Sequence, residues 1–191
     1  MILSFKQPER PVLSEPTAAA KGSARRQPTQ TPNADSNRSE ASMATTVGTE
    51  DNIRDLVRNL ILLEHDAIAA YESTIERLSD ATLSQQVEAF RRDHLQHLEV
   101  LQEMAAETGA EAPQEGDMKQ MLTTGKIALA DLFGDGAILK AMATNENDTV
   151  TAYERASAHP DAIEKSRAFF QKALADEQHH REWMVRTSEA I

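Results

Sequence analysis

The chain has 191 residues, no cysteine and a formal net charge of −11. That length suits one domain of ordinary size plus a tail, and the missing cysteines exclude disulfides and thiolate-held metals while fitting a cytoplasmic location. No run of about 20 apolar residues would span a membrane, and the opening Met1-Ile-Leu-Ser-Phe-Lys-Gln-Pro lacks the apolar core of a secretory signal.

The charge is unevenly spread. Residues 1–50 carry six Lys or Arg against five Asp or Glu, whereas residues 51–191 carry fourteen against twenty-six. An acidic domain repels phosphates, so nucleic acid is not an expected partner. Residues 1–49 are rich in Pro, Ser, Thr, Ala, Gln and Asn with few large apolar side chains, the composition of a disordered tail. Two readings of that tail stand: a tether, or a stretch upstream of a true start at Met43.

From residue 50 the pattern is helical. Helix 1 is predicted from about Glu50 to Ser79, with Ile53, Leu56, Val57, Leu60, Ala67, Ile68, Tyr71, Ile75 and Leu78 at three- and four-residue steps. Ser79-Asp80 breaks it, and Asp80 caps helix 2, which carries Leu83, Val87, Phe90, Leu98, Leu101 and Met104 and stops near Gly109. A short helix is expected over 118–132, then helix 3 from about Ala137 to Ala158 and a turn at His159-Pro160-Asp161. Helix 4, with Pro160 in its first turn, runs towards Ile191. The predicted domain is therefore an all-α antiparallel four-helix bundle over 50–191, with a long helix 2–helix 3 crossover.

The two hairpins repeat one another. Glu64-His-Asp66-Ala-Ile-Ala-Ala-Tyr71-Glu72 matches Glu146-Asn-Asp148-Thr-Val-Thr-Ala-Tyr153-Glu154, and Asp93-His94-Leu-Gln-His97 matches Asp176-Glu177-Gln-His-His180. A duplicated helical hairpin accounts for this pairing.

Within each helix some polar residues occupy the apolar stripe. At about 100° per residue, Glu64 falls among Leu60, Ala67, Tyr71 and Leu78, while Glu72 and His65 point elsewhere. His94 is central among Val87, Phe90 and Leu101, with His97 beside it. Glu146 shares a stripe with Met142, Thr149 and Tyr153. Glu177 goes with Ile163, Phe170 and Leu174, and His180 lies nearer that stripe's edge, with Met184. Carboxylates are rarely buried unless paired, and three Glu with three His at similar depths form a ligand set for one or two divalent cations.

Glu177-x-x-His180, with a single Glu on each of helices 1 and 3, resembles the layout of the ferritin-like carboxylate proteins. The Glu64-x6-Tyr71 spacing resembles the first helix of ferritins and rubrerythrins. That resemblance implies Glu64 as a metal ligand and Tyr71 as a hydrogen-bond donor beside it. Gly134-Asp-Gly-Ala-Ile-Leu139, followed by Glu146 and Ala-Tyr-Glu154, is similar to the third helix of a bacterial family of ferritin-like bundles of unknown function. One departure stands out. The family pattern has Glu-x-x-His on helix 2 as well, but this chain has His94-x-x-His97, leaving Glu177 as the obvious bridge unless Asp93 turns inward.

The expected metal ligands are Glu64, His94, His97, Glu146, Glu177 and His180, holding one or two ions of Fe or Mn, with Zn a further candidate. The implied function is non-haem metal binding with oxygen- or peroxide-related redox activity. The alternative is a metal-free structural or stress-related bundle, able to form a homodimer, whose polar groups bond to one another. Iron storage in a shell is a third, weaker reading.

Overall fold

Capping residues decide where the helices begin. Asn52 accepts hydrogen bonds from the backbone N–H of Arg54 and Asp55, and Asp80 from those of Thr82 and Leu83. A computed structural model of the chain describes residues 45–111, 113 and 132–191. Among them are four helices and no strand: α1 Ile53–Arg77, α2 Ala81–Thr108, α3 Asp135–Ala158 and α4 Glu164–Ala190. All belong to one compact unit, Ala41–Ile191. Gly109 closes α2 in the left-handed region at φ 69°, as its position after the last apolar residue predicts. The short helix expected over 118–132 falls, but for its last residue, outside the described residues.

α1 packs on α2 and α3, and α4 packs on α3 and α2. Tyr71 on α1 bonds Glu146 on α3 while Tyr153 bonds Glu64, so these two helices run antiparallel. Asp135 at the start of α3 agrees, accepting from Ser79 and Asp80 at the α1–α2 turn. His97–Asp176 and Asp93–His180 set α2 antiparallel to α4 in the same way. α2 and α3 consequently point in one direction, so the end of α2 and the start of α3 lie at opposite ends of the bundle. This is the predicted crossover topology, not simple up-down-up-down. No helix among the described residues is long and apolar enough to cross a membrane.

Two boundaries differ from expectation. Pro160 is not in the first turn of α4, which begins four residues later, at Glu164. Residues 159–163 instead form a turn in which the Ala162 N–H donates to the His159 carbonyl and His159 Nε2 donates to the Glu50 carbonyl. At the other end, order reaches back past residue 50. The Thr45 N–H donates to Asp148, and Arg155 donates to the carbonyls of Thr45 and Val47. Gly48 sits at φ 95° with Arg155 Cβ only 2.4 Å from where its own Cβ would be, so glycine is required there.

The interior has three zones. One apolar cluster is centred on Leu56, Leu60, Leu101, Tyr153 and Phe170, and a second on Tyr71, Val87, Phe90, Leu139, Met142 and Met184. Between them lies a polar layer.

Candidate metal centre

Glu64, His94, His97, Glu146, Glu177 and His180 make up that layer, and each is at most 1 % exposed. They arrive from all four helices. Glu64 comes from α1 and Glu146 from α3; His94 and His97 from α2 face Glu177 and His180 from α4. Their ligating atoms fall into two overlapping groups, each within 4.8 Å: Glu64, His94, His97 and Glu177, and His94, Glu146, Glu177 and His180. Glu72 and His65 take no part: Glu72 is exposed and pairs with Arg91, and His65 is half-buried. His180, expected nearer the edge of its stripe, is fully buried.

Five of the side-chain atoms that meet here are buried and lack a hydrogen-bond partner: His94 Nε2, His97 Nδ1, His180 Nδ1 and both oxygens of Glu177. Buried polar atoms are seldom left unpaired, because each costs about 1–3 kcal/mol. Five around one point is a strong departure. Their spacing is informative too. His97 Nδ1 lies 3.4 Å from Glu64 Oε1 and 3.2 Å from Glu177 Oε1; Glu177 Oε2 lies 3.5 Å from His94 Nε2 and 3.6 Å from His180 Nδ1. Two ligands on one ion with bonds of about 2.1 Å stand about 3.0 Å apart at a right angle and about 3.4 Å at the tetrahedral angle. The closest pairs thus approach the separations of ligands sharing an ion, while His94 Nε2 stands 3.9 Å from Glu146 Oε1.

The outer shell prepares the imidazoles. His97 Nε2 donates to Asp176 at 3.0 Å, and His180 Nε2 donates to Asp93 at 3.1 Å. Each bond turns the other nitrogen, Nδ1, towards the centre, the arrangement common around metal-bound histidine. Asp93 therefore does not turn inward as a bridge; it supports His180 from outside. Asp176 was not among the expected site residues. Its signal was the repeat itself, which puts Asp93 and Asp176 at equivalent positions. The tyrosines cross over, Tyr71 donating to Glu146 at 2.7 Å and Tyr153 donating to Glu64. Burial, with the neighbouring carboxylates, holds both phenols well above their usual range, so they remain donors.

Charges in the layer are strongly coupled. Burial opposes charge on His94, but Glu177 and Glu64 outweigh it and raise the imidazole to about 9. For His97 burial is again outweighed, by the facing Glu177 and Glu64 carboxylates, and it is raised to about 11. Glu146 is pushed well above its usual range by burial and by the Glu177 charge. Burial would raise Glu177 too, yet the His94 charge and the surrounding imidazoles hold it well below. Without a cation, protons do the neutralising; a cation would displace them.

Residues 52–159 match a family model described as "Domain of unknown function (DUF2383)". The chain belongs to the DUF2383 family. The matched DUF2383 region holds Glu64, His94, His97 and Glu146 and ends before α4, which supplies Glu177 and His180. No curated protein and no solved structure matches the chain.

Proposed function

We propose that this bundle is a ferritin-like, non-haem metal-binding protein that takes up iron or manganese and works on dioxygen or peroxide. The observation that carries the reading is the meeting of five unpartnered buried nitrogen and oxygen atoms at ligand spacing. Mixed carboxylate and imidazole donors suit Fe(II), Mn(II) or Zn(II). A redox-active ion bound there would supply electron transfer to an oxygen species at an open coordination position.

The residues have distinct parts in this reading. Glu177 presents Oε1 to His97 and Oε2 to His94 and His180, so it belongs to both groups and bridges them. His94 bonds Glu64 through Nδ1 at 2.8 Å and turns Nε2 to the other group. One position therefore has four ligands, His94 Nε2, Glu146, Glu177 and His180. The other has three, Glu64, His97 and Glu177. The pair is unequal: the four-donor set would hold an ion more tightly than the three-donor set, which would leave more of its ion's coordination to other ligands. Tyr71 and Tyr153 fix the terminal carboxylates, and the two apolar clusters exclude bulk water.

The test is metal content. Purified full-length protein should carry iron or manganese, and the chelated protein should regain it with a first ion bound more tightly than the second. Chelation should also lower Tm by many degrees, because an ion that binds only the folded state stabilises it. Glu64→Ala should abolish the weaker site. A second reading rests on the short His94–Glu64 bond: the layer is a metal-free network in which protons on His94, His97 and Glu146 balance the charges on Glu64 and Glu177. A protein that is isolated without metal, and whose Tm ignores both chelator and added Fe(II) or Mn(II), would establish that reading instead.

A further inference from the structure

The repeat contains a pair of aspartates that the centre leaves unused. Asp66 and Asp148 each follow a candidate ligand by two positions, Glu64 and Glu146, and the antiparallel packing of α1 on α3 brings them to one seam. A small cavity of about 50 Å³ opens there, walled by Asp66, Ala67 and Ala70 of α1 and by Glu146, Asp148 and Thr149 of α3. It is large enough for a water or a partly hydrated ion. Its floor is Glu146, a member of the four-donor group, 1 % exposed and reached from this side. Two other cavities, of about 120 and 530 Å³, touch none of the six donors.

We infer that this crevice is the route by which cations reach the centre, with Asp66 and Asp148 as the carboxylates that draw them in. The inference rests on the metal reading above. Three observations support it. Asp66 Oδ1 is buried without a hydrogen-bond partner, so its lone pairs are free for a passing ion. Both aspartates are partly exposed, which places them between solvent and the dry interior. Thr149 Oγ1, on the cavity wall, donates to the Glu146 carbonyl at 3.0 Å and stands 3.2 Å from Glu146 Oε2, while Glu146 Oε1 accepts from Tyr71. Ala67 and Ala70 keep the seam open, since larger side chains at those places would fill it. Carboxylates at the mouth of a low-dielectric cleft raise the local concentration of cations and their rate of entry without adding to final affinity.

The experiment is stopped-flow loading of Co(II), added alone to the metal-depleted full-length chain, followed by its visible absorption. The Asp66→Asn/Asp148→Asn double variant keeps side-chain size and the acceptor for the Thr45 N–H. It should load at least about tenfold more slowly than the native protein, with a weaker dependence of rate on salt, while equilibrium affinity and stoichiometry change less than about threefold. Ala67→Leu, with both aspartates present, should slow loading by obstruction, and circular dichroism checks that each variant is folded. Loading of both variants at the native rate overturns the route while leaving the metal reading intact. An affinity loss in the double variant as large as the rate loss also overturns it, because the aspartates would then hold the ion and not pass it. Failure of the native protein to take up Co(II), Fe(II) or Mn(II) removes both.

Discussion

Each hairpin contributes a glutamate, a tyrosine, an aspartate and a histidine: Glu64, Tyr71, Asp93 and His97 from the first, and Glu146, Tyr153, Asp176 and His180 from the second. In space every one of these bonds crosses between hairpins, Tyr71 to Glu146, Tyr153 to Glu64, His97 to Asp176 and His180 to Asp93. The hairpins part at one inner position, where α2 has His94 and α4 has Glu177. A carboxylate offers two equivalent oxygens to two ions, but an imidazole whose Nδ1 already bonds Glu64 has one nitrogen left. An almost symmetric framework thus acquires an unsymmetric interior through a single side chain.

The largest effect is expected from removing the carboxylate that both halves share. Glu177→Ala should lower the affinity of both positions by more than about a thousandfold, leaving no stoichiometric metal by elemental analysis, since a direct ligand matters more than the outer partners whose loss typically costs 10–100-fold. Retention of one tightly bound ion in that variant would show that Glu177 is not the bridge.

His94→Glu sharpens the same comparison by restoring the symmetry. With two ions the variant should titrate as two sites of near-equal affinity, where the native protein should give one tight and one weak. Without ions it should be less stable than the native protein, because a fourth buried carboxylate adds repulsion and removes the His94 charge that holds Glu177 ionised. Calorimetric titration and thermal melts with and without Mn(II) measure both halves of this outcome.

The dependence on pH is smaller and has opposite signs in the two forms. His94 and His97 bind protons more tightly in the folded protein, at about 9 and about 11, than an ordinary imidazole does at 6.5. In the metal-free protein their contribution to stability is therefore complete below pH 6.5 and is lost as pH rises through 9 and 11. Metal binding must displace those protons and that of Glu146, so affinity should climb over the same range and uptake should release protons. Titrations in buffers of different ionisation enthalpy count them. A metal affinity that is flat between pH 6.5 and 9 would contradict these proton positions.

Much of this was legible in the sequence because the signals were local. Asn52, Asp80 and Gly109 end helices by bonding their own neighbours, and the placement of Glu64, His94 and Glu146 on apolar stripes needs only the helical period. α4 was harder. Its stripe was drawn through Ile163 and Leu174, yet Ile163 precedes the helix and is 68 % exposed, while the buried face runs Phe170, Ala173, Glu177, His180 and Met184. An anchor outside the helix shifted the phase and pushed His180 to the edge. Few apolar residues mark that face, because the buried polar residues Glu177 and His180 occupy its middle. Asp176 escaped for a different reason, and Asp93 entered only as a bridge that would turn inward. Both are partly exposed carboxylates, unremarkable on any one helix, and their role exists only across α2 and α4.

Those two aspartates give the gentlest test of the comparison and the most discriminating one. Asp93 bonds His180, a member of the four-donor group, and Asp176 bonds His97, which in the proposed reading belongs to the three-donor group. Each touches a histidine without reaching the centre, so Asp93→Ala and Asp176→Ala should each cost about 10–100-fold in metal affinity. The costs should fall on different ions: Asp93→Ala on the tight one and Asp176→Ala on the weak one. Lys172 also donates to Asp176, at 2.5 Å, which draws charge away from the His97 bond, so Asp176→Ala should lie at the lower end of that range. Lys172→Met, which frees Asp176 for His97 alone, should then strengthen the weak ion modestly and leave the tight one unchanged. If both aspartate variants instead weakened the same ion by the same factor, the two positions would not be separate, and the layer would hold one ion at its centre.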